Sequence, residues 1–224
     1  MVNGLKDAKR LKIIYQDPKT EDSIPILRSV NEREGLEFTW SVWLFIDSLV
    51  YKQGQKKHVF HKGSSQNVQG GDKWKGQNIA GMAFPNNGPG LYIHETKNAL
   101  IVVMNTFNDI IEEVEIDDIP VNKWINVVLR VKGRIMDTYV NGTIVNRHEF
   151  ASVPKQNYGD VYVNKDNGYS GLLSSLRYFS HALTGVEIEE LVRAGHNLTA
   201  DDSLKIFPPY FSLRWFFSKP ELVS

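Results

Sequence analysis

The feature that most constrains the fold is a series of short segments in which apolar residues occupy alternate positions. The clearest segment holds large apolar side chains at Phe38, Trp40, Val42, Leu44 and Ile46. Because successive side chains of a β-strand point to opposite faces, this spacing predicts a strand over a core. Further strand candidates are 11–15, 24–28, 58–61, 91–94, 100–106, 110–116, 124–132, 161–163 and 172–179. Since turn-forming residues separate them, the series predicts a β-sandwich or barrel.

One turn can be assigned its geometry. Asn141-Gly142 stands between two strand-like segments. Both central residues of a type I′ turn need positive φ, which Asn and Gly tolerate. A loop of this length fixes the register, so we expect Tyr139 opposite Ile144.

A single short helix is predicted after the last strand candidate. Thr184 and Glu187 have the spacing of a capping box. Leu183 and Ile188 can form a hydrophobic staple across the helix start, and Gly195 fits its end. One helix after so many strands predicts an all-β, antiparallel sandwich and not a βαβ alternation.

Composition limits the classes of partner. The chain has 224 residues with 26 basic and 26 acidic side chains, so its formal net charge is zero. Duplex nucleic acid usually requires a basic face, so we expect no nucleic-acid partner. The absence of cysteine excludes thiolate metal sites and disulfides, and favours assembly inside the cell. We expect neither a membrane span nor a signal peptide, because no long apolar run occurs.

Several segments, in order along the chain, carry a family resemblance. They are 38–43 (FTWSVW), 58–63 (HVFHKG), 90–93 (GLYI), 123–128 (KWINVV) with 139–142 (YVNG), and 171–191 with its Leu176-Arg177-Tyr178-Phe179 and Ala182-Leu183-Thr184. Together they resemble the laminin-G-like, concanavalin A-like domain, which implies an antiparallel jelly-roll β-sandwich. The resemblance covers residues 22–196. It leaves residues 1–21 as an N-terminal extension and 197–224 as an aromatic C-terminal tail.

The resemblance also implies a function class. Members of the family mostly bind glycans or proteins, and some bind Ca²⁺ near the ligand loops. More narrowly, 24–29 (IPILRS) leading into 37–43 (EFTWSVW) resembles laminin-G-like proteins of large DNA viruses. This implies a virion component, either a minor capsid or a capsid-associated protein.

Glycosidases with this fold carry their catalytic carboxylates in the pattern E-x-D-x-x-E, so the presence of this pattern would indicate an enzyme. These enzymes need a carboxylic acid paired with a second carboxylate. The segment Glu115-Ile116-Asp117-Asp118-Ile119-Pro120 begins the pattern, but Pro120 stands where the second glutamate would be. We therefore predict no enzyme, with a glycoside hydrolase as the remote alternative. Glu112, Glu113, Glu115 and Asp117 are interpreted as a solvated acidic strand end.

The spacing of the histidine residues does not predict a metal site. His58 and His61 are three residues apart, which would place them on one face of a helix. On a regular strand, side chains share a face at a spacing of two. We therefore expect His58 and His61 to point to opposite faces.

Ligand binding is assigned to loop residues that combine aromatic and amide or carboxylate side chains. The candidates are Trp74, Asp72, Asn78, Tyr158, Tyr169 and Asn167. A loop tryptophan suits a sugar and suits a protein contact equally well. If it binds a sugar, Trp74→Ala should abolish glycan binding with little change in melting temperature. No other cofactor is expected, although Asp160 and Asp166 offer oxygen ligands for Ca²⁺; the alternative is that they support turns.

The C-terminal tail is crowded with aromatic residues, namely Phe207, Tyr210, Phe211, Trp215, Phe216 and Phe217. They either form a last strand of the sandwich or dock into a neighbouring subunit. The preferred hypothesis is a non-catalytic structural module whose partners are other subunits of an assembly such as a virion. Deleting 207–217 should then prevent incorporation. The alternative is a soluble lectin-like domain that binds glycans.

Overall fold

The fold is taken from a computed structural model that describes residues 35–197 in full, and before them the backbone of 13–16, 22–24 and 31–32. The strands are β1 (Ile13–Gln16), β2 (Asp22–Ile24), β3 (Asn31–Glu32), β4 (Gly35–Ser48), β5 (Lys57–Gly63), β6 (Lys73–Trp74), β7 (Gln77–Asn78), β8 (Asn87–Ile93), β9 (Ala99–Met104), β10 (Glu112–Asp117), β11 (Trp124–Lys132), β12 (Ile135–Val140), β13 (Thr143–Glu149), β14 (Asp160–Val163) and β15 (Ser170–Phe179). A 3₁₀ turn (Lys165–Asn167) follows β14, and one helix, α1 (Gly185–Ala194), follows β15.

Two antiparallel sheets form the sandwich. The first sheet has seven strands in the order β1-β15-β4-β11-β12-β13, with β3 also paired to β4. The second has six strands in the order β10-β9-β8-β5-β14-β2, and β6 and β7 form a separate hairpin. The predicted all-β, antiparallel jelly-roll sandwich is confirmed.

The core lies between the sheets and contains the alternating residues of β4. Phe38, Trp40, Val42, Leu44 and Ile46 are all buried. Trp40 spans the interface, because its ring centroid lies 5.1 Å from that of Phe60 in the second sheet and 4.8 Å from that of Tyr178 in the first. The periodicity of β4 therefore identified its core face correctly.

The predicted hairpin and helix are also present. Tyr139 pairs with Ile144, and Asn141 and Gly142 have φ of 51° and 81°. Thr184 and Glu187 close a capping box at the start of α1.

Helix α1 packs on the outer face of the first sheet, which is the face turned away from the second sheet. It packs in a cluster of Val128, Phe179, Leu183, Ile188 and Leu191 on the outside of the first sheet. This cluster explains why Val128 of β11 is buried although it faces away from the main core.

The first sheet includes a strand that precedes the range covered by the resemblance. Strand β1 pairs with β15, with Ile13 opposite Leu176. The sandwich therefore includes residues before 22 that were assigned to an extension. The aromatic residues predicted to dock a partner, all within 207–217, lie outside the described residues.

A long polar segment packs on the second sheet. Residues 64–84, here called the flap, contain the β6–β7 hairpin and pack against the outer face of β8 and β9. Their cluster consists of Ile79, Met82, Tyr92, Ile101, Val103 and Ile111. The flap therefore has a small core of its own.

Candidate functional site

An amide-rich cleft of about 310 Å³ opens at one end of the sandwich. Its lining is Gly63, Asn86, Asn105, Lys155, Gln156, Asn157, Tyr158 and Gly159. These residues come from the end of β5, the loop before β8, the residue after β9 and the loop before β14. We call it the amide cleft.

Glycine allows the backbones at the floor of the amide cleft to meet. A Cβ atom on Gly159 would lie 2.2 Å from the carbonyl oxygen of Gly63. A Cβ atom on Gly63 would lie 2.1 Å from the carbonyl oxygen of Asn86. Larger residues at either position would push the segments apart and change the shape of the cleft.

Hydrogen bonds hold the loop 151–159 against the loop after β9. Phe107 N donates to the Val153 carbonyl at 3.1 Å. Lys155 N donates to the Asn105 carbonyl at 2.8 Å. This pairing presents two exposed aromatic rings at the rim, Phe107 at 68% and Tyr158 at 76% of full exposure.

The side chains of the cleft combine planar amides with aromatic faces. Asn157 Oδ1 accepts a hydrogen bond from Gly159 N at 2.6 Å, and Asn105 Nδ2 donates to the Pro85 carbonyl at 2.8 Å. Within residues 35–197, the exposed Asn86 side chain makes no hydrogen bond. The Lys155 ammonium lies 5.4 Å from the Phe107 ring centroid. The arrangement suits a ligand with many hydroxyl groups and a flat apolar face.

Only Tyr158 of the predicted ligand-binding residues lines this cleft. Asn78 anchors the flap at the opposite end of β5, where its Nδ2 donates to the Gly54 carbonyl at 3.3 Å. Asn167 is at that same end, and its carbonyl accepts from the Tyr51 hydroxyl at 3.1 Å. The ends of β5 are roughly 20 Å apart, since a strand rises ~3.3 Å per residue. Asp72 is exposed on the flap.

Tyr169 needs correction as a ligand-binding residue. It is fully buried in the main core. Its hydroxyl donates to the Leu172 carbonyl at 2.7 Å. The ring therefore has no face that a ligand in solvent can contact.

The side chain of Trp74 packs against other residues of the flap. It is half-buried beside the flap cluster, with its ring centroid 5.3 Å from that of Phe84. We now expect Trp74→Ala to lower the free energy of unfolding by about 2 kcal/mol, because apolar surface is lost from the flap. Ligand binding in the amide cleft should stay unchanged. Urea denaturation and a binding titration check the two parts. Full stability with lost binding would instead favour the original interpretation of Trp74 as a sugar platform.

Asp160 and Asp166 do not share a metal site. Asp160 begins β14 and Asp166 lies in the 3₁₀ turn beyond its far end. The strand alone separates them by roughly 10 Å, whereas Ca²⁺ needs its ligands within ~2.6 Å. Across the described part of the chain, no three His, Asp or Glu side chains are grouped so that they could hold a metal ion. The absence of any cofactor other than Ca²⁺ stays a prediction.

The acidic strand β10 is solvated at Glu115 and Asp117, which are exposed, but Glu112 and Glu113 are half-buried. Glu113 is ion-paired with Lys56 at 3.2 Å, and burial raises the pKa of its carboxyl. Glu112 Oε1 lies 2.9 Å from His148 Nε2. Glu115 pairs with Lys97 at 2.9 Å, and this hydrogen bond lowers the pKa of Glu115. The pairs occupy these carboxylates, and none of them lines the amide cleft.

The expectation that His58 and His61 point to opposite faces is wrong. A bulge in β5 brings His58 Nε2 within 2.6 Å of His61 Nδ1. An inserted residue shifts the alternation by one position. Periodicity alone cannot detect such a bulge.

Sequence reasoning missed Asn86, Phe107, Lys155, Gln156 and Asn157. A signal existed in two turn-rich segments, 85–90 (PNNGPG) and 154–159 (PKQNYG). Their meeting depends on sheet topology, so the segments could not be assigned to one site from their composition.

No helix in the part of the chain that the structure describes combines the length and apolarity needed to cross a membrane. No curated protein sequence matches this chain significantly.

Solved structures with a similar fold include botulinum neurotoxin binding domains. The serotype D ligand binding domain in complex with N-acetylneuraminic acid has a TM-score of 0.57 and 10% identity over 85% of this chain and 45% of that chain. The serotype G binding domain has a TM-score of 0.51 and 11% identity over 80% of this chain and 46% of that chain. The receptor binding domain of the C/D mosaic serotype has a TM-score of 0.51 and 14% identity over 71% of this chain and 36% of that chain. This chain thus spans less than half the length of each, and at these identities the likeness concerns the fold.

The family is assigned by a sequence model of the laminin-G type. It is described as the concanavalin A-like lectin/glucanases superfamily and matches residues 26–189, most of the chain. The matched range includes β4 to β15 and the first half of α1. The protein belongs to the concanavalin A-like lectin/glucanase superfamily.

Proposed function

We propose that the protein is a non-catalytic module that binds oligosaccharides in the amide cleft. The observation that carries this proposal is the exposed Tyr158 ring beside a cleft lined with Asn and Gln side chains. Sugars present hydroxyl groups that pair with planar amides, and C–H faces that stack on aromatic rings. The volume of about 310 Å³ fits one or two sugar units.

Two further observations support binding without catalysis. The glycosidase pattern ends at Pro120. The carboxylates of β10 are held by Lys56, Lys97 and His148. Retaining hydrolysis needs a pair of carboxyl groups ~5–5.5 Å apart that face a substrate, and the described residues that line the amide cleft include no such pair.

The comparisons support the ligand class. The family name includes lectins. One structural neighbour, a botulinum neurotoxin ligand binding domain, is complexed with N-acetylneuraminic acid. This complex supports a glycan as the ligand class and does not favour a particular sugar.

Removing the Tyr158 ring is expected to weaken glycan binding. Tyr158→Ala should raise the Kd at least about tenfold, because the lost apolar contact corresponds to ~1.4 kcal/mol or more. The measurement is a titration with fluorescent neutral and sialylated oligosaccharides, lactose and 3′-sialyllactose among them.

Two variants make this test specific. Tyr158→Phe keeps the ring and should retain most of the affinity. Asn86→Ala removes an exposed amide that makes no hydrogen bond in the described residues, so it should weaken binding without lowering the melting temperature. If no oligosaccharide in the panel binds the unmodified protein, the proposal is wrong.

The virion role implied by the narrower resemblance stays a prediction. Its candidate contact, the aromatic residues of 207–217, lies outside the described residues. Comparing the native mass and particle incorporation of the full chain with those of a chain lacking 207–217 tests it directly.

A further inference from the structure

A buried pair of histidines lies under the start of the flap. In β5, His58 pairs with Tyr92 and Phe60 pairs with the next residue back along β8, Leu91. Val59 is therefore the extra residue of a bulge, and it turns His58 and His61 to the same face. Their side chains are almost fully buried, with 2% and 0% of their surface exposed.

The hydrogen bonds of this pair define where each proton lies. The main-chain N–H of Lys165 donates to His58 Nδ1 at 3.0 Å. The carbonyl of Ser64 accepts from His61 Nε2 at 2.7 Å. Because a main-chain N–H only donates and a carbonyl only accepts, His58 must carry its proton on Nε2. His58 Nε2–H then donates to His61 Nδ1 at 2.6 Å, and both rings are neutral.

This chain of hydrogen bonds has no place for another proton. A proton added to His61 Nδ1 would face the N–H of His58. If His58 moved its own proton to Nδ1, that proton would face the N–H of Lys165. Every protonated arrangement therefore breaks at least one bond that joins β5 to the 3₁₀ turn or joins the two rings.

Two aromatic rings enclose the pair, and the charged groups that face it are positive. Tyr92 of β8 meets the His58 ring edge-on with centroids 5.4 Å apart, and Tyr162 of β14 stacks on His61 at 5.2 Å. The charged groups that face the pair are Lys165 on the 3₁₀ turn and Lys52 on the turn after β4.

The carboxylate on the 3₁₀ turn, Asp166, interacts with Lys52. Burial lowers the pKa of His61 to about 4. Burial, and then the neighbouring His61, lower the pKa of His58. Protonation of either ring is therefore opposed in the folded protein.

We propose that His58 and His61 form an acid-sensitive latch, whose protonation detaches the start of the flap and the 165–167 turn from the second sheet. The free energy needed to open the latch is largest above the pKa of an ordinary histidine, ~6.5, where both states are neutral. It falls as the pH drops from about 6.5 towards 4, because the opened state binds protons that the closed state excludes.

The latch is connected to the floor of the amide cleft. Ser64, whose carbonyl accepts from His61, also donates its N–H to the Asn86 carbonyl at 3.1 Å. Asn86 N donates to Ser64 Oγ at 3.1 Å. Opening the latch should therefore separate Gly63 from Asn86 and dismantle one wall of the cleft. The consequence, release of a glycan in acid, rests on the proposed function; the opening itself does not.

Hydrogen exchange of the free protein tests the latch without any ligand. After correction for intrinsic exchange, the main-chain amides of Ser64, Val68 and Gly168 should exchange faster as the pH falls from 6 to 4.5. The increase should be up to ~tenfold per pH unit for each proton that the opened state takes up, and so up to ~hundredfold for the two rings. Amides of β11 should not change. His61→Gln keeps a neutral amide donor for the Ser64 carbonyl and should lower this pH dependence to at most ~tenfold per pH unit, because only His58 still takes up a proton on opening. The half-exposed His181→Gln is the matched control and should behave like the unmodified protein.

The NMR chemical shifts of the imidazole nitrogens provide a second test. It uses the unmodified protein, so it does not depend on whether a variant folds. Both rings should stay neutral at pH 6, and His61 should titrate near 4. Ordinary titration near 6.5, or protected Ser64 and Gly168 amides at pH 4, would overturn the latch. If the latch opens in acid but the protein binds none of the oligosaccharides, the latch is supported and the proposed function is wrong. Unchanged Ser64 exchange with faster Gly168 exchange would overturn the connection to the cleft.

Discussion

Replacing Trp40 by alanine is expected to lower the free energy of unfolding by about 3–5 kcal/mol. Trp40 is 1% exposed and contacts aromatic rings of both sheets, Phe60 and Tyr178. Its removal leaves a cavity at the interface between the sheets, where neighbours held by strand pairing relax only in part. Urea denaturation monitored by circular dichroism measures the change.

An exposed apolar residue is the matched control for Trp40. Val186 on α1 is 68% exposed, so Val186→Ala should change the free energy of unfolding by less than ~0.5 kcal/mol. A loss below 1 kcal/mol for Trp40→Ala would contradict the position of Trp40 at the centre of the core. The order of the two losses in free energy of unfolding is a stronger test than either value alone.

Replacing Asp137 by alanine is expected to cost about 3 kcal/mol. The Asp137 side chain is 1% exposed and lies between two guanidinium groups, Arg130 at 2.9 Å and Arg147 at 2.6 Å. These three residues occupy one row across β11, β12 and β13. Without the carboxylate, the Arg130 guanidinium, whose side chain is 21% exposed, loses its charge partner in a poorly solvated position. Thermal and urea denaturation both measure the loss.

A surface ion pair separates this effect from a general effect of charge. Glu189 and Arg193 pair at 2.9 Å on α1, but their side chains are 69% and 76% exposed. Glu189→Ala should cost less than ~0.5 kcal/mol, since water screens the pair. Equal losses for Asp137→Ala and Glu189→Ala would show that the buried row contributes no more than an exposed pair.

The fold was largely predictable because its signals are local. The alternating residues of β4, the Asn141-Gly142 turn and the capping box of Thr184 and Glu187 each depend on residues close together in the chain. Local steric and hydrogen-bonding rules therefore act on them directly. The N-terminal boundary was not predictable in this way, because β1 belongs to the sandwich only through its pairing with the distant β15.

The candidate site was predictable only in part. Tyr158 was identified by its aromatic ring in a turn-rich segment, and it lines the amide cleft. Tyr169 has a similar local context, but it is a core residue. Trp74 was assigned to a free loop, whereas it packs beside Phe84. Sequence shows which residue types are present in a loop and does not show which side of the loop meets the protein.

The sequence by itself determined the class of fold, the family, the broken glycosidase pattern and helix α1, because periodicity, turn chemistry and motif spacing are properties of neighbouring residues. Only the tertiary structure decided the amide cleft and the His58–His61 pair. The cleft requires Gly63, Asn86 and Gly159 to meet from separate segments of the chain. The pair requires a bulge whose position depends on the register of β5 against β8. Both are set by long-range strand pairing, which combines residues that no local pattern connects.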